Sequence, residues 1–369
     1  MGGYGILMNI EKKESKKWKS LLSGFFILLI LAVMLLLLFK AHSPEELRDL
    51  FMRMNATWLI AALGCALLSY FAEMMSYYEL TKKVNGKTSL RTAFRVTMAG
   101  QYFNSITPFA AGGQPFQVYY LMKDGIPMGR CANIIMVKSV LFELCVFSVS
   151  VVSFIFGAGA LNRIIGKFTM FFIIGVTINL AVIAFFGLFL LNKNAARKVV
   201  DWVFNLLGKL RIVKDPGKYT KRKEEELAGF CDGSELILHD RGVILKASFY
   251  QILNLLLQYA IPWFMLVSME GTRKFFFEII ASQAVLREVT SYVPSPGAAG
   301  GAEGIGYFFF RNFFVSSPIV SVILIWRIFT YYLNLIVGGV SLVFIKSNDK
   351  KESSIIEQRK TAKLKKPAA

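Results

Sequence analysis

Two histidines and four cysteines are all that 369 residues offer for metal or thiol chemistry. His42 and His239 stand apart in polar segments, and the cysteines have no paired spacing. Neither a metal site nor a disulfide framework is expected. Cys65 and Cys145 fall within apolar runs and read as small core residues. There is no Walker loop, no Gly-x-Ser-x-Gly and no His-Glu-x-x-His, so no catalytic residue and no cofactor are expected. Acids are scarce too: 24 Asp and Glu stand against 43 Lys and Arg, a net charge of +19. In a soluble protein that excess would point to nucleic acid.

What is abundant argues otherwise. Hydrophobic residues make up 55% of the chain and the mean hydropathy is +0.50, in long apolar runs with the positive charge mainly in loops and tails. That pattern is a polytopic membrane protein whose basic segments stay in the cytoplasm, facing a bilayer with anionic lipids. Leu21 to Phe39 holds 19 residues and no charge, enough to cross a hydrocarbon core of about 30 Å. No small-x-small cleavage site follows it, so it reads as a retained first span. Further spans are expected at 57–80, 131–157, 168–191, 242–268 and 318–345, with Trp58 near one interface and Tyr77 and Tyr78 near the other. Residues 1–20 and 346–369 form basic cytoplasmic tails. Residues 192–241 form a cytoplasmic insertion, with a surface helix over Val199 to Leu210 and a soluble helix over Lys221 to Leu238.

One element occurs twice. Thr107-Pro108-Phe109-Ala110-Ala111-Gly112-Gly113-Gln114-Pro115 is answered by Ser295-Pro296-Gly297-Ala298-Ala299-Gly300-Gly301-Ala302-Glu303, at an offset of 188 residues. These prolines and glycines would break a helical ladder, and broken backbone at membrane depth is tolerated only inside protein or along a cavity. Two re-entrant helical hairpins are therefore expected, at about 92–122 from the cytoplasm and about 275–315 from the outside. The same offset carries 57–80 onto 245–268 and 131–157 onto 319–345. The expected fold is all-α: six transmembrane helices and two re-entrant hairpins in an inverted repeat, with repeat 1 at 21–157 and repeat 2 at 168–345. Broken helices in inverted repeats point to a transport site.

Ionisable residues inside spans are costly and mark candidate function. Glu73, Lys138, Glu143, Arg287, Glu288, Glu303 and Arg327 qualify. Lys138 and Arg327 stand at nearly equivalent positions of the two repeats, and two cations on a shared cavity would suit a phosphate headgroup. A structural ion pair with Glu73, Glu143 or Glu303 is the alternative. The tips at Gly112-Gly113 and Gly300-Gly301 would offer free N–H groups to an anion, or else serve tight packing. Gln114 and Glu303, beside the tips, are candidates for direct contact. Gln251, Asn254 and Gln258 share one helical face, and Arg311 is expected to snorkel to an interface.

These residues resemble a known family. Asn104-Ser105-Ile106-Thr107-Pro108 with Ala111-Gly112-Gly113-Gln114-Pro115 is similar to the hairpin of the lysylphosphatidylglycerol synthase transmembrane family. So is Pro294-Ser295-Pro296-Gly297 with Gly300-Gly301-Ala302-Glu303-Gly304, followed by Arg327 and Tyr331-Tyr332. The resemblance covers about 20–345 and implies the flippase-like region of the multiple peptide resistance factor. That region flips lysylphosphatidylglycerol to the outer leaflet and so protects a bacterial plasma membrane from cationic antimicrobial peptides. Both termini would be cytoplasmic. In full-length members a C-terminal cytosolic domain makes the lipid from lysyl-tRNA and phosphatidylglycerol. Only 24 residues follow position 345 in this sequence, so lysyl transfer is not expected of these residues alone. The alternatives are a phosphatidylglycerol lysyltransferase, as the family name implies, or a membrane partner of a separate synthase. Direct nucleic-acid binding is not expected, and a homo-oligomer is left open. The implied headgroup contacts are Gly112, Gly113, Gln114, Lys138, Gly300, Gly301, Glu303 and Arg327. Glu73, Asn104, Pro108, Glu143, Arg287, Pro296 and Tyr331 would support them.

Overall fold

The computed structural model describes residues 48, 52, 54–110, 112–198, 201, 216–291 and 293–345, with only the backbone described for 156–168 and 216–222. The chain divides into two units, Met1–Met54 and Asn55–Ala369. In the first, Arg48, Met52 and Met54 alone are described, Arg48 and Met52 as helix. The expected span at 21–39, the surface helix at 199–210 and both basic tails lie outside the described residues.

Among the described residues the second unit is helical with no strand. Helix α1 is Ala56–Asn85, α2 Leu90–Ile106, α3 Gly113–Lys123, α4 Met128–Leu191, α5 Pro216–Leu238, α6 Arg241–Glu270, α7 Phe276–Thr290 and α8 Gly301–Phe310. Helix α9 covers Ile319–Ile345 and contains a π turn at Ile328–Tyr332. Five stretches are long and apolar enough to cross a membrane: α1, Met128–Ile155 and Thr169–Leu191 of α4, α6 and α9. Leu67, Phe71, Ile155, Ile173, Leu245 and Phe249 project outward, a surface that water would penalise and lipid would cover. The chain is an all-α membrane protein.

Helix α4 carries the two stretches expected as spans, Met128–Ile155 and Thr169–Leu191. The residues are helical from Met128 to Leu191, yet the whole is not straight. Asn179 donates to Glu143 at 2.8 Å although 36 residues separate them, about 54 Å along a straight helix. The Phe154 and Phe172 rings stack 4.8 Å apart. The chain therefore doubles back between 155 and 169, and the two arms run antiparallel.

Local sequence explains most helix ends. Asn55, Ser89 and Asp240 cap α1, α2 and α6 through their side chains, satisfying amides that have no partner in the first turn. Helix α5 is described from Pro216 and so already includes residues ahead of the expected Lys221. It docks on the start of α4, where Asn133 donates to Ser234 at 2.6 Å and the Gly129 amide donates to Glu226 at 2.6 Å.

Helices α1 and α6, equivalent by the offset of 188, pack side by side and antiparallel. At one end the Asn55 amide donates to the Ser268 carbonyl at 3.1 Å. At the other, Lys83 pairs with Asp240 at 2.6 Å. Ala62, Ala66, Ala72 and Ala247 are buried along these helices, and such small residues let helix backbones approach closely.

Candidate functional site

The repeated element folds the same way twice. Adding 188 to the 3₁₀ turn Pro108–Ala110 gives the 3₁₀ turn Pro296–Ala298. Phe109 has φ 58° and ψ 11°, and Gly297 has φ 60° and ψ 23°. The next residue is left-handed in both copies, with φ 51° at Ala110 and 54° at Ala298. The Ala110 amide donates to the Thr107 carbonyl, and the Ala298 amide donates to the Ser295 carbonyl. Each turn joins two helices, α2 to α3 and α7 to α8, and the two turns touch.

The tip glycines serve packing. Gly112 donates its amide to Thr107 Oγ1 at 2.9 Å, Gly113 to Asn104 Oδ1 at 2.8 Å, and Gly300 to Glu303 Oε2 at 2.7 Å. A side chain at Gly113 would overlap Asn104. These three amides are engaged inside their own hairpins, as the packing alternative describes. The turns instead line a cavity with Phe109, Ala110, Gly297 and Ala298.

That cavity measures about 530 Å³ and is walled by both turns and by all five candidate spans. Lys138 and Arg327 both reach it, as do Glu73, Gln114, Glu143, Arg287 and Asn104. Buried Lys138 pairs with buried Glu73 at 2.7 Å. Glu73 also accepts from Gln101. Arg327 Nε pairs with Glu303 at 2.6 Å, and its Nη2 donates to the Gly297 carbonyl at 2.9 Å. The ion-pair alternative therefore describes both of these cations. Gln114 donates to Ser139 at 3.2 Å. Ser139 and Arg327 are related by the offset of 188, so each hairpin reaches the following span at one equivalent place.

Arg287 differs from the other two cations. Among the described residues it forms no ion pair, and its Nε has no hydrogen-bond partner. Its guanidinium lies 5.1 Å from the centre of the Phe142 ring, and Lys138 lies 4.8 Å from the same ring. A guanidinium with unsatisfied donors on a cavity wall attracts an oxyanion.

A second hollow, about 470 Å³ and mostly apolar, is lined by Glu303, Tyr307, Phe308, Val320, Leu324 and Arg327 among others. Arg327 borders both hollows. The Arg327–Glu303 pair thus stands where a polar chamber meets an apolar groove.

Sequence reasoning missed Gln101 and Gln117. Gln117 donates to the Tyr77 hydroxyl at 2.7 Å. Tyr77 is only 2% exposed, so this bond lies inside the protein. A signal was available, since each arm of the first hairpin carries two amides three residues apart, Gln101 with Asn104 and Gln114 with Gln117. Trp58 does sit in an aromatic group at one end of α1, against Trp263 and Phe264 with Arg273 over its ring. Arg311 rests 5.1 Å from the Phe308 ring centre and is exposed. Among the described residues no group of His, Cys, Asp and Glu could hold a metal ion.

Residues 22–338 match the model of the lysylphosphatidylglycerol synthase transmembrane region. A UPF0104 membrane protein of Archaeoglobus fulgidus is 25% identical over 288 residues, covering 77% of this chain and 82% of its own. No solved structure matches. The family match covers most of the chain and both repeated turns, and the chain belongs to the family of the lysylphosphatidylglycerol synthase transmembrane region.

Proposed function

We propose that the protein moves a phosphate-headgroup lipid between leaflets, lysylphosphatidylglycerol or a chemical relative of it. One observation carries the reading: a cavity lined by Arg287, which forms no direct ion pair among the described residues, shares Arg327 with an apolar groove. A lipid needs such a pair of surfaces, one for its headgroup and one for its chains. The phosphate would sit on Arg287. The Arg327–Glu303 pair would open to the headgroup, with Arg327 turning to phosphate and Glu303 to a lysyl ammonium.

In the bilayer we place six spans, with the two hairpins re-entrant from opposite sides as an inverted repeat. The matching turns and the antiparallel α1 and α6 support this arrangement. Both termini are placed in the cytoplasm of a cell whose plasma membrane would become less negative. Resistance to cationic peptides would follow.

The test is leaflet exchange of tagged phospholipids in liposomes holding the purified protein. Wild type is compared with Arg287→Ala and Arg327→Ala, each checked for folding. Exchange that is lost in folded Arg287→Ala supports the reading. No exchange of any anionic lipid, the lysyl form included, sinks it.

A further inference from the structure

Glu288 stands apart from the other acids near the cavity. It follows Arg287 in α7, is 1% exposed, and lines neither hollow. Neither of its carboxylate oxygens has a hydrogen-bond partner. Its backbone presses on the second arm of α4 so closely that a side chain at Gly175 would overlap the Glu288 carbonyl. Ser150 lies beside the carboxyl on the first arm, and Tyr259, on α6, is close enough to feel its charge. The Ser150 and Tyr259 hydroxyls close no hydrogen bond of normal geometry either.

The charged neighbours can be counted. The charge of Glu143, on α4, acts on Glu288, and Arg287 flanks it on its own helix. Lys138 is held by Glu73. On α8 the acid is Glu303, held by Arg327, while Tyr307 points outward. If Glu143 and Glu288 were both ionised, the single guanidinium of Arg287 would leave one negative charge over. Glu143 accepts a hydrogen bond from Asn179 at 2.8 Å, which favours its ionised form. Glu288 has only the Ser150 hydroxyl close by, in poor geometry, and an ionised carboxylate so buried and so weakly solvated by donors is disfavoured.

We propose that Glu288 is a proton-binding site, its carboxyl neutral while α7 is packed against α4. When the two helices part, water reaches the group and takes the proton, leaving a carboxylate and a hydronium ion. A proton would thereby accompany the conformational step of lipid movement. That coupling rests on the translocator reading, whereas the proton site does not.

Two measurements on the full chain separate these claims. The first is infrared difference spectroscopy of the protein in lipid, reading the C=O stretch of a protonated carboxyl at neutral pH. The band is expected in wild type and in Glu143→Gln, and lost in Glu288→Gln, whose amide keeps the shape of a neutral acid. A band that survives in Glu288→Gln overturns the site. So does a sodium-dependent gain in thermal stability that vanishes in Glu288→Gln, because the occupant would then be a metal cation. The second is lipid exchange in vesicles under a pH gradient. The gradient should change the rate in wild type and leave Glu288→Gln unaffected; equal sensitivity in both overturns the coupling. A band lost in Glu288→Gln together with no exchange at all would uphold the proton site and reject the translocator.

Discussion

Tyr331 donates its hydroxyl to the carbonyl of Ser105 at 3.1 Å, across 226 residues of chain. The contact ties the last span to the helix leading into the first turn. The same ring leaves no room for a side chain at Gly297, whose φ is +60°, so one tyrosine packs against both hairpins.

Replacing Gly297 is therefore expected to break this junction. Gly297→Ala adds a methyl into the Tyr331 ring and places an L-residue in the left-handed region, which alone costs about 1–2 kcal/mol. Tyr331→Phe loses one hydrogen bond, about 0.5–1.5 kcal/mol. Thermal unfolding in detergent should rank Gly297→Ala well below Tyr331→Phe, and the reverse order would refute the packing account.

Phe109 holds in the first turn the backbone conformation that Gly297 holds in the second. Phe109→Gly removes left-handed strain of about 1–2 kcal/mol but costs chain entropy of roughly 0.5–1 kcal/mol. The side chain is half exposed, so little packing is lost. Stability close to wild type is expected, and a large loss would show that the ring holds the tip together.

Glu73 and Lys138 neutralise one another inside the protein. Glu73→Ala strands a buried ammonium, and breaking a buried pair in this way costs about 3–5 kcal/mol. The double variant Glu73→Gln with Lys138→Met removes both charges and should be clearly more stable than Glu73→Ala. Equal losses in the two would mean the pair contributes through shape alone.

Asp240 caps α6 and pairs with Lys83, and the Lys83 hydrogen bond followed by that of the Val243 amide holds its carboxyl below the ordinary value of 3.8. A depressed carboxyl contributes stability above its unfolded pKa and loses it as pH falls through the lower folded value. The difference in melting temperature between wild type and Asp240→Asn should stay constant from neutral pH to about 5 and shrink in stronger acid. A difference that grows on acidification would contradict the sign.

Much of the architecture was legible from the chain alone. The apolar runs located α1, α6 and α9 to within a few residues, because a span must be long and apolar whatever it packs against. The repeated turns were legible for a similar reason. Proline and glycine restrict backbone angles locally, so Pro108 and Pro296 announce two turns of one shape before any neighbour is known. The two arms of α4 were located as well, at 128–155 and 169–191, but the helical backbone that joins them was not legible.

The sequence by itself determined that this is a membrane protein with a repeated broken element, and which ionisable residues lie inside it. Only the tertiary structure decided their partners. From the sequence, Lys138 and Arg327 were either two cations on a shared cavity or members of ion pairs. Contacts across 65 and 24 residues compensate them, while Arg287 lines the same cavity without a direct ion pair among the described residues. Hydropathy and turn chemistry act over a few neighbouring residues and can be read along the chain. Charge compensation acts over a few ångströms between helices, and which helix faces which is set by packing.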